Sequence, residues 1–190
     1  MLFSGFAQWI AANLDLVFPL LISVVIAVGD LKTRRIPNYL TLGAALAGLG
    51  FQLGFHGWPG LWQGVLGLLL GFFLLILPYL KGGMGAGDVK ALAALGAWLG
   101  PARTFSLFIY MAIAGGVIIL GFLVWRGLLW VKLREGWAAL LNWVLSRPHG
   151  AGPPPSPTPG TPGVPYGAAM ALGMAFLCWW GPLALFRTGP

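Results

Sequence analysis

Two aspartates stand at the ends of long apolar runs in a chain with only four acidic residues. Asp30 closes the first run, in VVIAVGDLKTRRIPNYLT, and Asp88 sits in a glycine-rich turn ahead of another, in KGGMGAGDVKALAALGAWLG. Asp15 and Glu135 complete the acids. A carboxylate at membrane depth is costly, so such a residue is by default a functional one. Two carboxylates a few ångströms apart cannot both ionise easily, and they share a proton. One then acts as base toward a water while the other donates to a scissile carbonyl oxygen. Such a pair titrates as a unit. If Asp30 and Asp88 meet on one face of a membrane, they form a candidate catalytic pair.

Other catalytic schemes find little support. His56 and His149 fall on different sides of the expected membrane, and no serine has a His–Asp partner set on its own face. No zinc-protease signature is present. Cys178 is the single cysteine and lies inside an apolar run, which excludes an intrachain disulfide and a Cys-based zinc site. No metal and no cofactor is expected.

The residues around each aspartate suggest how it is placed. Gly85 and Gly87 in GMGAGD permit positive φ and close backbone approach, so they can deliver Asp88 to the start of a helix. There the helix dipole favours an anion, and the bland alternative is that Asp88 is only a helix cap. A dinucleotide-binding reading of the glycines fails, because no strand precedes them. After Asp30, Pro37 restricts Ile36 to an extended or turn conformation, and Asn38 is placed to cap the next helix. The bland reading of Asp30 is a carboxylate neutralised by Lys32, Arg34 or Arg35. Lys90 is either an anchor charge at the membrane face or a group that tunes the carboxylates.

The elements that must position these residues are long and apolar. Of the 190 residues, 58% are hydrophobic and 8% charged, against about 25% charged in soluble domains. The fold class expected is all-α, a polytopic membrane protein with about six transmembrane helices. The segments run over 14–29, 39–55, 61–80, 88–99, 105–125 and 164–186. The fourth is short for a spanning helix of about 20 residues. Pro19 is a candidate kink, and 56–60 reads as a tight turn. The N-terminus lacks a basic n-region and a small-residue cleavage site, so the first run reads as a retained helix.

Lys and Arg lie mostly in alternate loops. Nine fall in the first, third and fifth loops, against Arg103 and Arg187 on the other side. The positive-inside rule then makes the odd loops cytoplasmic, with both termini outside. Asp30 and Asp88 come out on the same, cytoplasmic face. The net charge of +7 is explained by orientation in a lipid bilayer, and nucleic acid is not an expected partner. Residues 1–190 are read as a single membrane-embedded domain. Within it, 126–147 interleaves Trp and Leu with basic residues as an interfacial amphipathic helix would. Residues 148–164 are a Pro/Gly-rich cytoplasmic linker. Gly64, Gly67 and Gly71 are spaced for close helix packing.

These residues resemble the type IV prepilin peptidases, among the GxGD aspartyl proteases of membranes. The likeness rests on Asp30 with Ile36-Pro37-Asn38, on Gly85-Ala86-Gly87-Asp88-Val89-Lys90, and on Val164-Pro165-Tyr166-Gly167 opening the last segment. It implies that Asp30 and Asp88 are the catalytic aspartates. It implies cleavage of a short leader from prepilin or pseudopilin precursors at the cytoplasmic face of the bacterial inner membrane, after a glycine and ahead of the substrate's hydrophobic helix. The products would enter a pilus or type II secretion assembly machinery. Larger members carry a cytoplasmic domain, often with paired CxxC zinc motifs, and methylate the new N-terminus with S-adenosylmethionine. That insertion is missing here, so the chain resembles the short, peptidase-only form serving Flp-type pili. Archaeal preflagellin peptidases share the pair, whereas presenilin-like proteases place the first aspartate in a motif not found here.

Two rivals come from other classes. An ion-coupled small transporter or proton relay would use Asp30 and Asp88 to bind a cation or pass a proton. It calls for acids nearer the midplane and repeated halves with broken helices, and no internal repeat is seen. A non-catalytic assembly subunit would tolerate Asn at either position.

Overall fold

Two glycines fold long apolar helices back on themselves. The computed structural model describes residues 13–33, 36–145 and 166–183. Five helices are present there: α1 (Leu14–Thr33), α2 (Asn38–Leu80), α3 (Ala86–Trp125), α4 (Leu129–Leu145) and α5 (Tyr166–Trp180). No strand occurs among the described residues. α1, α2 and α3, of 20, 43 and 40 residues, are long and apolar enough to cross a membrane. α2 is broken at Gly57, with φ +64°, and α3 at Gly100, with φ +70°. A straight helix the length of α2 would extend about 65 Å. Instead a methyl placed on Gly64 would lie 3.1 Å from Leu49 Cδ2, so the two arms of α2 double back side by side. The tight turn expected at 56–60 is thus a single positive-φ residue followed by Pro59. α1 runs unbroken through the buried Pro19.

The contacts of the chain fall into two units: Met1–Gly115 with Pro165–Pro190, and Gly116–Val164. In the first unit the chain passes repeatedly between two ends. One end holds Asp30, Asp88 and Gly167; the other holds Asp15, Gly57, Gly100 and Arg103. α1 packs on α5, and Gly173 of α5 lies against the Met111 backbone of α3. The first arm of α3 is the centre. Every residue from 91 to 100 is buried, and its Ala- and Gly-rich sequence lets neighbours close in from all sides. This explains how so short an arm is tolerated: protein, rather than lipid, surrounds it.

The stripe of Gly64, Gly67 and Gly71 does what its spacing suggests. A methyl on Gly64 would stand 2.8 Å from the Ala97 carbonyl oxygen, and one on Gly71 would stand 2.6 Å from that of Leu92. One on Gly67 would collide with the Gly96 carbonyl. Polar ties reinforce this packing. Trp98 Nε1 donates to the Ala44 carbonyl at 2.8 Å, and Gln52 Nε2 donates to the Trp98 carbonyl at 2.6 Å. Phe18 and Phe51 flank the Trp98 ring, with centroids 5.5 and 5.3 Å away. No buried side-chain polar atom is left unpartnered among the described residues, as a low-dielectric surrounding requires. Leu21, Val25, Leu66, Leu69 and Phe73 instead point outward and are exposed. Such faces suit lipid, and the chain is an all-α membrane protein.

In the second unit, α4 carries a Lys132–Glu135 ion pair at 2.6 Å, and the Arg126 guanidinium stands 4.7 Å over the Phe122 ring. Trp130 and Trp137 are largely exposed. The Pro/Gly-rich stretch 148–164 lies outside the described residues.

The glycine packing yields a paired test. Gly67→Ala should cost about 1–3 kcal/mol of stability by forcing the two arms apart. Gly50→Ala, where a methyl meets nothing within 4 Å, should be neutral or slightly stabilising. Thermal unfolding of the two variants in the same detergent checks this.

Candidate active site

The loop that carries Asp88 is built from two helix ends. α2 stops in a Schellman arrangement: the Gly83 N–H donates to the Pro78 carbonyl at 3.0 Å and the Gly82 N–H to the Tyr79 carbonyl at 2.9 Å. Gly82 is the residue with positive φ, at +73°. The sequence placed that freedom at Gly85 and Gly87, and the two serve otherwise. Gly85 precedes the first turn of α3, and Asp88 is its third helical residue. The Gly85 N–H donates to Asp88 Oδ2 at 3.2 Å, while the Asp88 N–H donates to the Gly85 carbonyl at 3.2 Å. Asp88 is therefore not the cap residue itself. It reaches back to the cap's amide, as an acid at this position does in a capping box. Gly87 makes room for Ile36, whose Cβ would lie 3.1 Å from a methyl there.

Asp30 lies in the last turn of α1, half-buried. The Gly167 N–H at the start of α5 donates to Asp30 Oδ2 at 3.0 Å. A methyl on Gly167 would stand 2.8 Å from Asp30 Cβ and 3.2 Å from Ala27 Cα, so only glycine admits this approach. Beside it, the Tyr166 hydroxyl donates to the Gly83 carbonyl at 3.2 Å. The start of α5 thus touches both the Asp30 side and the loop ahead of Asp88. The carboxyl groups lie close enough for the Asp30 charge to act on Asp88, and the Asp88 charge in turn reaches Tyr166.

Among the described residues neither Asp30 nor Asp88 forms an ion pair, while Asp15 is held by Arg103 and Glu135 by Lys132. Lys32 does not neutralise Asp30, and Arg34 and Arg35 lie outside the described residues. Lys90 donates from Nζ to Asn38 Oδ1 at 2.9 Å, which ties the start of α3 to the start of α2. Asn38 does not cap α2 as its position suggested. Pro37, with φ −64° and ψ 136°, occupies the cap position and offers no side-chain bond. An apolar groove of about 350 Å³ opens beside this tie, lined in part by Asn38, Thr41, Phe72, Lys90 and Ala94.

No group of three or more His, Cys, Asp or Glu able to hold a metal ion occurs among the described residues. The arrangement at the aspartate end is two carboxyl groups, each with Oδ2 engaged by a backbone amide. Tyr166 and Gly167 were not assigned a role from the sequence, although they open the last segment. The available signal was a tyrosine–glycine step at a helix start, with no Cβ to keep a carboxylate away.

The model of the type IV leader peptidase family matches residues 17–120, a stretch that includes Asp30, Pro37, Asn38, Gly85, Gly87, Asp88 and Lys90. A protein of Pectobacterium carotovorum subsp. carotovorum named prepilin leader peptidase/N-methyltransferase is 38% identical over 131 residues, which is 65% of this chain and 44% of that protein. Proteins of the same name from Aeromonas salmonicida (strain A449) and Burkholderia pseudomallei (strain 1026b) are 35% and 36% identical. They match 51% and 52% of this chain, and 35% and 33% of their own lengths. The chain therefore spans less than half the length of these relatives. No solved structure matches it. With the family model covering more than half of its 190 residues, the chain belongs to the type IV leader peptidase family.

Proposed function

We propose that this protein is a membrane aspartyl endopeptidase that removes the leader peptide of type IV prepilin-like precursors, with Asp30 and Asp88 as its catalytic pair. The observation that carries the reading is the pair itself. Two carboxyl groups from distant parts of the sequence come within electrostatic reach at one end of an apolar bundle, without a cationic partner among the described residues. The names of the relatives supply the substrate class.

The chemistry needs one proton shared between two acids. The ionised aspartate takes a proton from a water as its oxygen attacks the scissile carbonyl carbon. The protonated partner gives its proton to the carbonyl oxygen. The tetrahedral intermediate then collapses: one of its hydroxyls returns a proton to the second aspartate, the C–N bond breaks, and the leaving amine takes up the proton first drawn from the water. The Gly85 and Gly167 amides keep both carboxylates oriented through this cycle, so little reorganisation is needed at the moment of reaction.

Further particulars belong to the same proposal. Six passes of the chain cross the bacterial inner membrane, counting the arms of α2 and α3 separately and adding α1 and α5. The aspartate end faces the cytoplasm by the charge bias of the loops, and α4 lies along the interface. The precursor's hydrophobic helix docks between spans, with its cleavage site at that face. Pseudopilins and Flp-type pilins are the expected precursors, and pilus or type II secretion assembly machinery receives the products.

Leader cleavage of a purified prepilin in membranes or detergent tests the reading. Wild type should cleave, while Asp30→Asn and Asp88→Asn should each lose at least about a thousandfold in kcat/KM and keep the thermal transition of wild type. Normal cleavage by either variant would remove the shared-proton mechanism and favour an ion-flux role for the same acids. A second test concerns Lys90 and Asn38. In a double-mutant cycle with Lys90→Met and Asn38→Ala, unfolding should report a coupling of about 0.5–1 kcal/mol. A coupling of zero would leave Lys90 as an anchor charge only.

A further inference from the structure

We infer that Tyr166 is a positioning residue for the catalytic loop, acting as the second point of a clasp whose first point is Gly167. The two residues are adjacent at the start of α5. One binds the Asp30 carboxylate through its backbone amide at 3.0 Å, and the other binds the Gly83 carbonyl through its phenol at 3.2 Å. Gly83 lies between the end of α2 and the cap of α3. Its carbonyl is the loop's tie to α5 across 83 residues of sequence. Among the described residues the remaining bonds of the loop are local: Gly83 to Pro78, Gly82 to Tyr79, and Gly85 with Asp88.

Local bonds fix the shape of a loop but not where it sits relative to Asp30. Beside the packing of α3, the Lys90–Asn38 bond and the Gly87–Ile36 contact, Tyr166–Gly167 spans directly from α1 to the loop. Gly167 lies so close to α1 that a methyl on it would stand 2.8 Å from Asp30 Cβ and 3.2 Å from Ala27 Cα, and its amide is held by the Asp30 carboxylate. The tyrosine beside it therefore projects from a fixed base. A displacement of about 1 Å in such a site is worth about a hundredfold in rate, so a single loop tether is expected to show in kcat.

The opposite end of α5 carries a chemically matched bond. The Tyr110 hydroxyl donates to the Gly181 carbonyl at 3.1 Å. It is also a phenol-to-carbonyl bond that ties α5 to the rest of the first unit, and it lies far from the aspartates. If Tyr166 served only to hold α5 in the bundle, the two tyrosines would be equivalent.

The experiment compares Tyr166→Phe with Tyr110→Phe in the full chain. Hydrogen–deuterium exchange of residues 82–88 is read without substrate, and kcat and KM are read for prepilin cleavage. Tyr166→Phe should raise exchange in the 82–88 segment and lower kcat about tenfold, with KM within about twofold of wild type. Tyr110→Phe should change neither loop exchange nor kcat, whatever it does to the thermal transition. Equal exchange and equal kcat for the two variants would overturn the clasp. So would an unchanged loop in Tyr166→Phe. The activity arm rests on the peptidase reading and the exchange arm does not. A wild type that fails to cleave prepilin, with loop exchange raised only in Tyr166→Phe, would retain the tether and remove the peptidase assignment.

Discussion

The Gly167 amide reaches the Asp30 carboxylate across 137 residues of sequence, and much of the bundle is arranged to permit that one bond. A carboxylate near membrane depth needs hydrogen-bond donors, because water is scarce and each missing partner is costly. In this chain the donor is a helix-start amide with no helical partner of its own. Bringing it within 3.0 Å requires α1 and α5 to pack with a glycine between them. Any side chain at 167 would occupy the space of Asp30 itself. Asp88 solves the same problem locally, drawing its amide from Gly85 three residues away. The pair thus joins one long-range and one short-range solution, and only the long-range one depends on the whole fold.

The remaining packing makes that fold narrow enough. The central arm of α3 is lined with Ala and Gly, and the glycines of α2 press directly on its backbone. Close approach of helices in lipid draws on dispersion and polar ties, since lipid tails are as apolar as leucine. Trp98 shows how the ties are used. It fills the space over Gly48, donates to Ala44, and accepts from Gln52 through its carbonyl. These bonds lie toward the end remote from the aspartates, where the Asp15–Arg103 pair also sits. The bundle is knitted by an ion pair at one end, and at the other Asp30 and Asp88 are held by amides without an ion-pair partner among the described residues. A site for chemistry needs that asymmetry: groups held in place, yet not neutralised.

Much of this was legible in the sequence, for reasons that can be named. Apolar runs of span length announce helices, and acids are so rare here that Asp30 and Asp88 stand out. Gly64, Gly67 and Gly71 declare a packing face by spacing alone. What failed was the detail of turns. Gly82, not Gly85 or Gly87, takes the positive φ, because the Schellman end of α2 fixes which residue must turn. Pro37 displaced Asn38 from the cap, and Asn38 was then free to accept from Lys90. Such outcomes depend on where a neighbouring helix stops, and no local pattern encodes it. The role of Gly167 was hidden for a further reason. Its importance is the absence of a side chain opposite a particular carboxylate, and this is visible only once α1 and α5 are side by side.

The same geometry bears on the choice between catalysis and ion passage. A transporter site is usually built at the midplane from broken helices, with unwound carbonyls as cation ligands. The breaks here, at Gly57 and Gly100, are at the opposite end of the bundle from Asp30 and Asp88. Their freed carbonyls therefore do not face the acids. The Gly100 carbonyl instead accepts from the Thr104 hydroxyl at 2.6 Å. Around the aspartates the backbone presents donors, the amides of Gly85 and Gly167, which suit an anion and repel a cation. Under the proposed reading, a site lined with amide donors and two carboxyl groups would hold one negative charge and one shared proton, the electrostatic condition for acid–base hydrolysis.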